Sequence, residues 1–444
     1  MTPTSPTAYL ASESYPLWSV APFLGLLLTL GVMSFASANF PHSRAGKIWE
    51  SNRNKLLIAL AWAAPVVLLL ASTGNWHPLV HSLEDYFAFI VLLFSLFCIS
   101  GGVYVSGDIS ATPRVNTLFL AAGALLANIV GTTGASVLLI RPFLRTNSER
   151  KQTAHIPVFF IFAVSNIGGC LLPIGDPPLF LGYLQGVPFF WTLRLWPEWL
   201  TTICLLLGVF YIWDRRAYGR EDAGDLARDI SNQEPLKLHG HANFILLAGV
   251  LASVIWLPVY WREAVMLALT GLSFYVTPLH SVARKENNFT FGPIIEVAAL
   301  FIGIFTAMIP ALAVLHAHGS NLGLSRPWHF FWASGSLSAV LDNAPTYLTF
   351  LSVAQGLSSF RPDIFAVSAD LQHIGTSGTL LAAISLGSVF MGAITYIGNG
   401  PNFMVKAIAD EWGYKTPDFL SYILRYSLPV LVPIFILISA VFLR

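Results

Sequence analysis

Apolar runs dominate the chain. Stretches of roughly 20 apolar residues, each able to cross a hydrocarbon layer about 30 Å thick, fall at about 17–36, 55–74, 84–105, 155–183, 198–213, 241–260, 263–279, 293–316, 373–405 and 418–443. Two of these, 155–183 and 373–405, are longer than one crossing needs. Two further apolar tracts, 116–140 and 328–354, are interrupted by small and polar residues, so each predicts a helical hairpin rather than a straight span. A charged stretch at about 214–240 leaves five spans before it and five after. The pattern predicts an all-α polytopic membrane protein with a first repeat over 1–213 (hairpin about 116–142), a linker over 214–240, and a second repeat over 241–444 (hairpin about 328–354). Because five is odd, the second half must cross the membrane in the opposite sense, making an inverted repeat of two five-span halves.

Two octets mark corresponding places in these halves: PIGDPPLF at 173–180 and YIGNGPNF at 396–403, which share Ile, Gly, Pro and Phe in register. Other landmarks keep the same order. Glu84 opens LEDYFAFIVLLFSLF and Glu296 opens IIEVAALFIGIFTAM, and each is followed by a hairpin tract and then an overlong span. Gly and Pro inside the octets predict broken helices. Backbone groups freed by a break cannot face lipid, so a break at membrane depth is tolerated only where protein buries it or where it lines a polar cavity. Paired breaks near the midplane, each with a re-entrant hairpin, are the expected architecture of a secondary transporter built from inverted repeats.

Composition agrees with this pattern. Of the 444 residues 55% are hydrophobic and 11% charged, against about 25% charged in soluble domains, so a lipid bilayer and not nucleic acid is the expected partner. Cys98, Cys170 and Cys204 lie in apolar segments without metal-ligand spacing and read as small buried hydrophobes. The N-terminal tail lacks the basic region and cleavage site of a signal peptide. Arg44, Lys47, Arg53 and Lys55 follow the first span, and alternation from there gathers most Lys and Arg, Arg228 among them, on the cytoplasmic side. Both termini are then expected outside.

The candidate chemistry lies in the hairpins and breaks. The first half offers Asn128, Thr132 and Thr133 in its hairpin and Ser165, Asn166, Gly168 and Asp176 in its broken span; the second offers Asp342, Asn343 and Thr346, then Asn399 and Asn402. Hydroxyls, amides and carboxylates suit a small hard cation, and an intramembrane Asp is a functional candidate because its charge is costly there. Asp176, Asn166, Asp342 and Asn343 are therefore candidate Na+ ligands. Asp176 and Asp342 are also candidate proton-coupling groups, with Glu296 a third; helix capping is the alternative role for both Asp residues. Na+ and H+ enter as transported or coupling ions, and no resident cofactor is expected. No His-Glu-x-x-His occurs and no base pairs by sequence with Ser136, so an enzyme is not expected.

SNIGGCLLPIGDPPLFLG, LDNAPTYL and IGNGPNF resemble the ion transporter superfamily, which includes D-type Na+/H+ antiporters, arsenite permeases, and citrate and dicarboxylate carriers. The similarity spans about 80–443 and is nearest to a bacterial branch labelled citrate transporter or sodium:proton antiporter. The resemblance implies a multi-pass protein of the bacterial inner membrane, usually a homodimer, in which two re-entrant hairpins face two broken helices. It implies that Ser165 and Asn166 hold Na+ and substrate, with Asn128, Thr132 and Thr133 at the first hairpin tip. The dicarboxylate carriers bear Ser-Asn-Thr at both tips, and this chain does not. That departure, with Asp176 and Asp342, makes exchange of Na+ or another monovalent cation for protons the first expectation and cation- or proton-coupled citrate or dicarboxylate uptake the alternative.

Overall fold

The structure, a computed structural model, describes residues 15–40, 42–224, 229, 233–362 and 365–444. The N-terminal tail to residue 14, Arg228 and the linker positions 225–228 and 230–232 lie outside the described residues. The helices before the linker include α1 (Ala21–Asn39), α2 (Asn52–Thr73), α3 (His77–Ser100), α4 (Pro113–Val130), α5 (Thr132–Thr146), α6 (His155–Ala163), α7 (Pro177–Leu184) and α8 (Trp196–Tyr218). Those after it include α9 (Ala242–Trp256), α10 (Trp261–Val276), α11 (Gly292–His318), α12 (Pro327–Ser338), α13 (Asn343–Phe360), α14 (Gly378–Met391), α15 (Gly400–Glu411) and α16 (Leu428–Phe442).

Among the described residues, seven helical stretches are long and apolar enough to cross a membrane: Leu17–Ser37, Asn52–Thr73, His77–Ser100, Pro113–Val130, Trp191–Tyr218, Gly292–Leu322 and Phe419–Phe442. The chain is thus a multi-pass membrane protein by its helices, with fewer full-length spans than the ten expected. The overlong tracts account for part of the difference, because each divides into a shorter helix and a break. Pro113–Val130 departs the other way: expected as one arm of a hairpin, it is itself long enough to cross.

The helices are also not the whole secondary structure. The segment after α3 forms strand β1 (Tyr104–Asp108), which pairs antiparallel with β2 (Glu234–His239), Tyr104 opposite His239 and Ser106 opposite Lys237. The stretch expected as a plain linker therefore contributes a strand, and α8 runs into it as far as Tyr218. Gly107, at φ 99°, supplies the left-handed conformation at the irregularity between Ser106 and Asp108.

Burial grades the helices from rim to centre. Only 22% of the apolar window of α2 is buried, against 78% of that in α11, so α2 presents most of its surface outward while α11 lies inside the bundle. Side chains along α3 and α11 lock these two together: Phe89 stacks on Phe301 with centroids 4.9 Å apart, and Ser82 and Tyr86 donate to the carbonyls of Phe305 and Ala298. Deeper still, every residue from His155 to Cys170 is buried. A segment that is apolar on all sides can be accommodated only where protein surrounds it, and α6 with its following break is placed there.

Candidate functional site

Both overlong tracts break as the octets predicted. After α6, Asn166 leaves helical geometry (φ −139°, ψ −84°), a 3₁₀ turn follows over Ile167–Cys170, and Asp176 is extended (φ −141°, ψ 143°) just before Pro177 opens α7. After α14, a 3₁₀ turn over Gly392–Ile394 leads to extended Thr395 and then to Asn399, extended (φ −152°, ψ 141°), before Gly400 and Pro401 open α15. Asp176 and Asn399 thus occupy the same position, the residue before a Pro-started helix, and neither uses its side chain to cap that helix.

The hairpins bring their tips to the breaks. Gly131 (φ 79°, ψ 153°) alone separates α4 from α5, and the Thr132 amide donates to the Gly175 carbonyl at 2.7 Å. In the second half, α12 and α13 are joined through Ala339–Asp342, and the Thr395 hydroxyl donates to the Ala339 carbonyl at 2.6 Å. Gly169 permits the first of these approaches: a Cβ there would sit 2.5 Å from Thr132 Cγ2 and 2.7 Å from the Gly175 carbonyl oxygen.

Side chains from all four elements converge on one carboxylate. Asp176 Oδ1 accepts from Thr132 Oγ1 at 2.7 Å and from Asn399 Nδ2 at 3.1 Å, and Oδ2 accepts from Asn343 Nδ2 at 2.6 Å. Behind it, Asn399 Nδ2 also reaches the Ser165 carbonyl at 3.1 Å, Asn166 Nδ2 donates to Asn402 Oδ1 at 2.7 Å, and Asn402 returns its amide to the carbonyls of Gly392 and Thr395. Ser136 Oγ and Ser165 Oγ lie 2.7 Å apart. Asp176 is 1% exposed, yet among the described residues no Lys, Arg or His bonds to it. A buried carboxylate held only by neutral donors keeps its hydrogen bonds but lacks a compensating charge. One acceptor is left over: Asn343 Oδ1 is sealed from solvent without a partner.

The structure thus gathers Thr132, Ser165, Asn166, Asp176, Asn343, Asn399 and Asn402 into one network. Asn128 braces it from outside, accepting from the Leu171 amide at 2.7 Å, and the carbonyl of Gly168 accepts from Trp199 Nε1 at 3.2 Å. The remaining candidates stand apart. Asp342 caps α13 by accepting from the Ala344 amide at 3.0 Å, Thr346 donates back to the Asp342 carbonyl, and Thr133 is half-buried beside the tip. Glu296 pairs with Lys55 Nζ at 2.5 Å and is 42% exposed, so its partner is a buried lysine on α2 rather than the breaks. Ser136, an oxygen donor of the first hairpin, joins the network through Ser165, and Thr395 joins it although it did not stand among the candidates; its available signal was a hydroxyl directly before the second octet. Among the described residues no group of three or more His, Cys, Asp or Glu is placed to hold a metal ion; Asp342, next to the donor Asn343, is the second acid near Asp176.

The family described as "Putative citrate transport" matches residues 12–443. No curated protein matches the chain.

Proposed function

This chain belongs to that citrate-transport family, and on that premise we propose that it is a secondary carrier of citrate or a closely related carboxylate, working by alternating access at the Asp176 network. The family description favours carboxylate uptake over the cation/proton exchange expected first from the acids. The observation that carries the reading is the meeting of two hairpin tips and two helix breaks on Asp176. Polar backbone and amides concentrated at one buried point are what a passing polar solute requires and what packing alone does not.

Charge argues for a coupled ion. A citrate anion approaching a buried carboxylate is repelled unless a proton or a cation accompanies it, because uncompensated charge in a poorly polarisable interior is costly. Asp176 can be neutralised by a proton, or it can join Asn343 Oδ1, the unpartnered acceptor, in holding a cation that travels with the substrate. Na+ and H+ are therefore coupling ions in this scheme and part of the cargo. The same order of paired helices and then a break before and after the linker supports an inverted repeat with re-entrant hairpins. The Lys and Arg distribution supports both termini facing outward from a bacterial inner membrane, and assembly as a homodimer belongs to the same reading.

Uptake of labelled citrate into proteoliposomes, driven in turn by a pH gradient and by a Na+ gradient, tests the proposal. Saturable accumulation under either gradient is the expected result. Acidification or alkalinisation of the lumen on adding Na+, with no response to citrate or other carboxylates, would overturn it in favour of cation/proton exchange.

A further inference from the structure

Among the described residues five Lys and Arg side chains are buried: Lys55, Arg141, Arg150, Arg262 and Arg284. Four have partners. Lys55 pairs with Glu296, Arg150 with Asp214 at 2.6 Å, Arg262 with Glu263 at 2.5 Å, and Arg284 donates to the carbonyls of Thr277 and Cys98 and to Ser273 Oγ. Arg141 on α5 is the exception. It is 5% exposed, and among the described residues it makes no hydrogen bond and no ion pair. Its electrostatic neighbours are Glu411, at the end of α15, and the Tyr104 hydroxyl on β1, which already accepts from Arg145. Yet none of its nitrogens is among the side-chain atoms sealed from solvent without a partner. The small exposure it retains therefore includes the guanidinium.

A guanidinium carries five donors and stays charged, so leaving all of them unbonded inside a protein is costly. Snorkelling to an aqueous surface leaves a basic head widely exposed, as those of Arg215 and Arg216 are, whereas Arg141 keeps only 5% of its surface accessible. Arg141 also lies between elements that belong to different parts of the bundle. Nearby on the same helix, Val137 packs with Phe97 and Cys98 of α3 and Ile294 of α11, and Met404 of α15 lies against that cluster. The residue stands nine positions along α5 from Thr132, a rise of about 14 Å at 1.5 Å per residue, so it is set apart along the helix from the Asp176 network.

We infer that Arg141 is a second anion-binding point on the solute's path, receiving a carboxylate of the substrate at the end of the bundle that bears the β1–β2 ribbon. This deepens the carboxylate-carrier reading and rests on it. The planar fork matches a carboxylate with two parallel hydrogen bonds. The partner missing from the protein is thus supplied by the cargo: citrate pauses at Arg141 when it enters from, or leaves toward, the ribbon side, and the uncompensated charge at Asp176 is met separately by the coupling ion.

The test uses the full-length protein with Arg141→Gln and Arg141→Lys. In proteoliposomes of known orientation, Arg141→Gln is expected to raise KM for citrate presented at the ribbon side at least tenfold and to leave KM at the opposite face within twofold; Arg141→Lys recovers part of the loss. Thermal melting of the purified protein gives a second readout. Without citrate, Arg141→Gln should melt no lower than the wild type, because the side chain has no partner to lose, and the upward shift that citrate gives the wild type should shrink. A ribbon-side KM in Arg141→Gln within twofold of the wild type's, or a KM raised equally on both faces, or a lower melting point with unchanged citrate response, would overturn the inference and assign Arg141 a structural part. Wild-type protein that is stabilised by citrate but does not move it would overturn the carrier reading while the melting comparison still decides Arg141. Absence of both binding and transport in the wild type would overturn both.

Discussion

Replacing Asp176 by Asn preserves the shape of the side chain and removes its charge. The carboxylate receives bonds from Thr132 at 2.7 Å, Asn399 at 3.1 Å and Asn343 at 2.6 Å. The amide oxygen of the variant can still accept two of these, while its NH2 group meets the third donor, and an unsatisfied buried donor costs about 1–3 kcal/mol. Against this, the variant no longer buries an uncompensated charge, whose effective penalty is several kcal/mol. The two effects offset each other, so stability should change by no more than about 2 kcal/mol either way. Transport has no such compensation, because the group that binds the coupling ion is gone. Citrate uptake should fall at least about a hundredfold, equivalent to about 2.8 kcal/mol at 1.4 kcal/mol per tenfold. Melting in detergent and uptake in proteoliposomes, measured on the same preparation, separate these effects. Uptake within about twofold of the wild type would refute the role given to Asp176. Loss of fold together with uptake would show instead that the carboxylate is a structural keystone.

Other consequences lie away from that carboxylate. Asp214→Asn weakens a sealed ion pair with Arg150 at 2.6 Å that also holds His155 and Asn116, and should cost about 3–5 kcal/mol of stability by leaving a buried guanidinium under-compensated; a melting point equal to the wild type's would contradict this. Gly169→Ala forces a Cβ to within 2.5 Å of Thr132 Cγ2 and 2.7 Å of the Gly175 carbonyl, so about 1–3 kcal/mol of overpacking and reduced uptake are expected, read by melting and transport together. In the β1–β2 ribbon, burial pushes the Asp108 carboxyl up to about 6 from an ordinary 3.8, with Glu149 and Asp229 adding to the rise. Because the folded value is the higher one, this group's contribution to stability is fully present below about pH 4 and is lost as pH rises through about 6. Amide exchange across Tyr104–Asp108, corrected for intrinsic rates, should therefore show more protection at pH 5 than at pH 7.5, and Asp108→Asn should flatten the difference; an unchanged difference in that variant would assign the effect to another group.

How much of this was legible beforehand varies with the range of the interaction. The breaks could be read because Gly, Pro, Asp and Asn interrupt apolar runs at two matching places, and such interruptions conflict with local helix propensity whatever surrounds them. The roles of Asp176 and Asp342 could not be separated that way. Each precedes a helix and each could cap it, yet Asp342 does so and Asp176 does not. The β1–β2 ribbon was missed for a related reason: neither strand is apolar enough or long enough to announce itself without the other, and their partners are more than a hundred residues apart.

What must be buried and where helices must fail can be read along the chain, since hydropathy and backbone stereochemistry act over a few neighbouring residues. Which polar groups meet depends on how the helices pack. The donors to Asp176 come from 44, 167 and 223 residues away, and Glu296, placed by its sequence among the coupling acids, is taken up by Lys55 on another helix. Arg141 and Arg150 read alike as basic residues beside the first hairpin. Arg150 pairs with Asp214 at 2.6 Å, and among the described residues Arg141 has neither a hydrogen bond nor an ion pair. That distinction depends on which helices pack together, because a charge is compensated by what lies within a few ångströms of it in space, whatever lies next to it along the chain.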